Sequence, residues 1–203
     1  MVKKGLWLLA IILAIIIGLY PGLYFVLDRK FALLSSKSDE LLKNTFWNIF
    51  FYIHIICSGI ALLVGWSQFS QKLRKNHLQL HQRIGKIYLA SCLSGAMAGI
   101  YIAFYATGGL VASLGFTCLG IIWFSTTLSA YIHIKNGRIR QHEIMMIYSY
   151  AACFAAVMLR IWLPLLMMLL KDFIRAYLIV AWLCWVPNLI VAVLLTRKKL
   201  AVQ

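Results

Sequence analysis

Apolar residues in this chain do not alternate with polar ones. They run in six long blocks, at about 5–27, 45–67, 83–106, 110–133, 144–169 and 174–195, separated by short polar breaks. A helix rises about 1.5 Å per residue, so about 20 apolar residues cross a hydrocarbon layer roughly 30 Å thick. Every block is long enough. The pattern predicts an all-α, polytopic integral membrane protein, with six transmembrane helices in one bundle and a single membrane domain over residues 1–203. The longest break, 28–44, contains SKSDELLKN, where Ser38 is placed to cap a brief interfacial helix. The first block follows a basic pair, Lys3 and Lys4, as a signal peptide would. Its apolar run exceeds the roughly 7–15 residues of a signal core, so it reads as a retained helix.

Composition agrees: of 203 residues, 63% are hydrophobic and 12% charged. Soluble domains are only about half apolar, and one core of this length cannot hide the excess from water. A net charge of +15 would suggest nucleic acid in a soluble chain, but the positions of the charges exclude that reading. Lys3 and Lys4, the group Lys72, Arg74, Lys75, Arg83 and Lys86, then Lys135, Arg138 and Arg140, and finally Arg197, Lys198 and Lys199 all fall at one end of a six-helix topology. At the other end Asp28, Asp39, Glu40 and Asp172 dilute the basic residues. The positive-inside rule places both termini in the cytoplasm, with the basic belt against anionic lipid headgroups. The five cysteines all lie in apolar blocks, form no C-x-x-C pair and are odd in number, so they read as small buried hydrophobes.

Small residues four apart occur at Gly95/Gly99, Ala61/Gly65 and Ala151/Ala155. Such spacing lets helix backbones approach closely in lipid. Packing within the bundle is the expectation; a homodimer or another membrane-protein partner is the alternative use. Pro164 and Pro187, inside the fifth and sixth blocks, are expected to bend their helices. A weak echo relates His81, Tyr88 and Cys92 to His142, Tyr148 and Cys153, as if two hairpins were copies.

Ionisable groups inside a membrane are costly, and each is a functional candidate. His54 and Arg160 fall at similar outer-half depths and are expected to line one polar pocket. His77, His81, His133 and His142 gather at the cytoplasmic helix ends. His81 and His142 begin the third and fifth helices, which run parallel, so both imidazoles lie at one depth. Two opposed histidines are one way to hold a haem iron, and haem b is the cofactor considered. Trp66, Trp123, Met145 and Met146 would then supply walls, and Arg83 and Arg140 would pair with propionates. Alternatively His77, His81 and His142, with Glu143, would form a zinc-like set. Carboxylates are too scarce for a hydrolytic metalloenzyme or a carboxylate-driven proton pump.

The run His54, Gly59, Ala61, Leu62, Leu63, Gly65, Gln68 and Phe69, with LHQRIGKIY at 80–88, Gly108-Gly109, WFSTTLSAY at 123–131 and QHEIMMIYSYAACFAAVMLRIWLP at 141–164, resembles the uncharacterised bacterial membrane-protein family catalogued as domain of unknown function 2306. The resemblance covers roughly residues 50–195. It implies six helices and a bacterial cytoplasmic (inner) membrane location, carries no established activity, and points to His54, His81, His142 and Arg160. This chain has His142-Glu143 where the family commonly writes H-R. Three readings remain open: electron transfer through a haem or quinone-like ligand at His81, His142, His54, Arg83 and Arg160, with His81 and His142 on the metal; a non-catalytic scaffold or assembly subunit; and a small-solute or ion transporter.

Overall fold

The structure, a computed structural model, describes residues 2–200; the side chains of Lys3, Lys198 and Lys199, part of the basic belt, lie outside the described residues. Among the described residues there are ten α-helices and no strand: α1 (Val2–Leu19), α2 (Asp39–Lys43), α3 (Thr45–Gly65), α4 (Gln71–Asn76), α5 (Leu78–Ala103), α6 (Leu110–Lys135), α7 (Ile139–Cys153), α8 (Ala155–Leu170), α9 (Phe173–Leu183) and α10 (Val186–Leu200). Eight of them, all but α2 and α4, compose six stretches long and apolar enough to cross a membrane: Lys4–Phe25, Thr45–Phe69, Leu78–Ala103, Leu110–Lys135, Ile139–Leu170 and Phe173–Arg197. The third and fifth begin before the expected residues 83 and 144. Their first turns are polar but helical, because a helix satisfies its own backbone whichever medium its side chains face.

Local chemistry explains the ends. Ser38 accepts a hydrogen bond from the Leu41 N–H at 3.3 Å, so the expected short helix forms as α2. Asn44 caps α3 through the Trp47 N–H at 3.0 Å, and Asp172 caps α9 through the Arg175 N–H at 3.1 Å. Gly108 and Gly109, at φ +93° and +72°, make the tight turn into α6, a backbone shape that side chains with Cβ resist.

The second to fifth spans form the inner ring, with α3 against α5, α5 against α6 and α6 against α7. The first span lies outside, on α3 and the start of α8, and the sixth packs on α6, α7 and α8. Gly95 and Gly99 face α3. A methyl at Gly95 would lie 3.3 Å from Cys57 Cβ and Ser58 Oγ, and one at Gly99 2.8 Å from His54 Nδ1. The small-residue motif is therefore used inside this chain. A close approach not anticipated from spacing joins the first two spans: a methyl on Gly59 would meet the Gly18 carbonyl oxygen at 2.7 Å. Cys92 and Cys153 meet in the central core with Leu62, Tyr88 and Val157.

The two prolines behave differently. The sixth span breaks at Cys184 and Trp185, just before Pro187, and Asn188 Nδ2 donates to the Cys184 carbonyl at 3.0 Å and to the Ala151 carbonyl at 3.2 Å. The fifth span continues as α-helix through Pro164 and breaks instead at Phe154.

A buried hydroxyl chain ties the ring together. Thr127 Oγ1 donates to the Trp123 carbonyl at 2.7 Å, so Ser149 Oγ, 2.6 Å away, must donate to Thr127. That leaves the Tyr88 hydroxyl, 2.8 Å from Ser149, as donor to Ser149. The order is Tyr88 to Ser149 to Thr127 to backbone, crossing α5, α7 and α6. Ser149→Ala is expected to strand a buried Tyr88 hydroxyl and lower stability by about 1–3 kcal/mol, readable as a lower thermal midpoint in detergent.

Candidate functional sites

Two cavities lie at opposite ends of this ring. The one at the end carrying both termini has a volume of about 560 Å³ and opens between α5 and α7, against α6 and the 3-10 turn Trp66–Phe69. His81 from α5 and His142 from α7 both line it. His142 Nδ1 lies 2.8 Å from the Ala130 carbonyl oxygen. A carbonyl only accepts, so Nδ1 carries the proton and Nε2 presents a lone pair in the neutral ring. His81 Nδ1 is buried with no protein partner, and so is Gln68 Nε2 on the same cavity wall. Tyr88 and Thr127, two members of the hydroxyl chain, line its inner side.

Several expected neighbours are elsewhere. Arg83 is exposed and outside the lining, because residues two apart on a helix do not share a face. Arg140, Met145 and Trp66 are likewise outside it, and Trp123 lines the opposite cavity. The cations at this cavity are Arg74, Lys86 and Lys135, and the methionine is Met146. Arg74 Nη1 pairs with Glu143 Oε1 at 2.7 Å. His77 is exposed and precedes α5 with φ −140° and ψ 60°, so it does not stack on His81. Among the described residues no three His, Cys, Asp or Glu side chains converge where a metal ion could sit, so the zinc-like set is not assembled.

The second cavity, about 200 Å³, lies in the half of the bundle away from the termini, and both His54 and Arg160 line it. His54 Nδ1 donates to the Gly95 carbonyl at 2.8 Å. Arg160 Nη1 donates to the Ala156 carbonyl at 2.9 Å, and its guanidinium carbon lies 4.4 Å from the Tyr20 ring centre. The segment between the first two spans contributes Leu33, Leu34 and Lys37 to the lining of this cavity. Lys37 Nζ donates to the Tyr105 carbonyl and, at 3.1 Å, to Thr107 Oγ1. Arg29 anchors the same segment by donating to the Tyr52 hydroxyl at 2.9 Å and to Asn48 Oδ1.

The family model described as predicted membrane protein (DUF2306) matches residues 51–196, the stretch that supplies all of the terminal-end cavity. The chain belongs to the DUF2306 family. No curated protein and no solved structure matches it. In this DUF2306 protein the matched stretch also contains His54 and Arg160, whereas Lys37 and Trp47 of the second cavity precede it. Sequence reading missed Lys37, Gln68, Arg74, Tyr88 and Lys135 as cavity residues. Only Gln68 and Tyr88 carried a signal, as members of the family-like runs.

Burial pushes the Lys37 ammonium down from 10.5 to about 8. Between those values the unfolded chain holds a proton that the folded chain has released, so stability rises with pH across that window. Thermal midpoints in detergent should climb from pH 8 towards 10.5 and flatten in Lys37→Met.

Proposed function

We propose that this DUF2306 protein is an electron-transfer protein of the bacterial cytoplasmic membrane, with both termini cytoplasmic, that holds haem b between His81 and His142. The observation carrying this reading is that imidazoles from two parallel helices, with α6 set between them, line one 560 Å³ cavity. The His142 bond to Ala130 supports it, because metal-bound histidines commonly donate their other ring N–H to a carbonyl that fixes the tautomer. Leu78, Leu89, Met146 and Ile147 offer apolar walls, while Lys86 and Lys135 suit two propionates. The imidazoles act as iron ligands rather than as acid–base groups. Purification in mild detergent from iron-replete cells, followed by a visible absorption scan, tests the reading. A Soret band is expected; its absence overturns haem.

A quinone-like head group is the second reading, favoured by the hydroxyl chain that starts at Tyr88 on the cavity wall. Solvent extraction and mass analysis of the same sample identifies it. The scaffold reading is weaker, because Gly95 and Gly99, its best association surface, already face α3. Transport needs a route between the cavities, where Tyr88, Cys92, Thr127 and Ser149 are packed with almost no exposure.

A further inference from the structure

The second cavity is unusual in the polar groups it leaves unused. Trp47 Nε1, Ser58 Oγ, Trp123 Nε1 and Arg160 Nε are all buried without a protein partner, and all four residues line this one space. Three of these atoms can only donate, and the hydroxyl can donate. The charge balance leans the same way. Arg160 and Lys37 are the cations of the lining, and no carboxylate is among the lining residues. Arg160 has a carbonyl of its own helix and a tyrosine ring for company, and neither neutralises it. The remaining walls are largely apolar, with Phe51, Ile55 and Leu119 among them. Apolar walls with a few convergent polar groups are the usual form of a small-molecule site.

We propose that this cavity binds an amphipathic carboxylate, a single apolar tail carrying an anionic oxygen head, with the head at Arg160 and the tail along the apolar walls. An acceptor-rich anion is what a cluster of donors around a desolvated guanidinium selects, because charge-assisted bonds from arginine to a carboxylate are the strong ones. A small inorganic anion would satisfy Arg160 but leave the apolar walls unfilled. A neutral carbonyl ligand would accept hydrogen bonds but leave the cation uncompensated inside the membrane. This site is separate from the His81–His142 cavity, and its occupancy is independent of haem.

The test uses the full chain in phosphatidylcholine nanodiscs, with tryptophan fluorescence read during titration with a terminally brominated undecanoate and with the matching brominated alcohol. Bromine quenches indole at contact, and Trp47 and Trp123 line the space. Saturable quenching by the acid, at least about tenfold tighter than by the alcohol, is the expected result. Trp123→Phe should reduce the quenched amplitude, and Arg160→Gln should weaken the acid alone by about tenfold. Lys37→Gln, at the rim segment, serves if Arg160→Gln fails to fold, and should also weaken the acid selectively. Equal quenching by acid and alcohol in the unaltered protein, or an unchanged amplitude in Trp123→Phe, overturns the proposal.

Discussion

His142→Ala is expected to abolish the absorption of a bound haem while leaving the protein folded. The side chain is half-buried at a helix end, and its one protein hydrogen bond goes to the Ala130 carbonyl, so its loss opens cavity space without breaking the ring of helices. Losing a partner that merely orients a metal ligand costs about 10–100-fold in affinity, and losing the ligand itself should cost no less. Soret absorbance per protein should therefore fall by at least about tenfold. His81→Ala should behave the same way, whereas His77→Ala and Arg83→Ala should not, since both residues are exposed and outside the cavity lining. The contrast separates ligation from a general effect of removing polar groups at this end. Unchanged spectra in both His81→Ala and His142→Ala would refute ligation by the pair.

Gly115→Leu should give the largest loss of stability. A methyl there would lie 2.8 Å from the Ala181 carbonyl oxygen and 3.2 Å from its carbonyl carbon, both backbone atoms of α9. A flexible side chain could turn aside; a helix backbone must move as a body. Ala181 and Val180 are fully buried at this contact, so separating α6 from α9 also loosens the cluster around Tyr177 and Trp185. Overpacking of this kind costs about 1–3 kcal/mol for small additions, and a leucine should exceed that range. Size-exclusion profiles in detergent should show aggregate in place of a monodisperse peak. Gly5→Ala, with nothing within 4 Å of the added methyl, is the control and should leave stability unchanged or raise it by up to about 1 kcal/mol through helix propensity. A monodisperse Gly115→Leu protein with an unchanged thermal midpoint would contradict the close approach of α6 and α9.

The places where sequence reading failed share a cause. Trp123 and Met145 seemed suitable walls for a ligand at His81 and His142 because they lie in the right spans. Span membership says nothing of depth or of rotation about the helix axis, and Trp123 lies at the opposite cavity. Arg83 is two residues from His81, and that spacing turns it to another face of α5. A break in the fifth span that no local rule announced falls at Phe154, at neither proline nor glycine, while the helix continues across Pro164. The segment 28–44 was expected to connect two spans through a brief capped helix, yet Lys37 and Leu34 also line the second cavity, and Arg29 and Lys37 bond to distant residues.

Six spans, their approximate limits and the cap at Ser38 follow from the residues alone, because the bilayer poses the same local requirement along every stretch of chain. Each segment must be apolar for about 20 residues and must satisfy its own backbone, and both conditions can be read without knowing any neighbour. That His54 and Arg160 occupy similar depths was legible from their positions in the spans, and both line the second cavity. Which other side chains meet them was not legible. The gathering of Trp47, Ser58 and Trp123 around one cavity, and of Gln68 and Arg74 around the other, depends on how each helix is rotated and on which backbones touch at Gly95, Gly99 and Gly115. Those contacts are set jointly by several helices, so only the assembled bundle decides them.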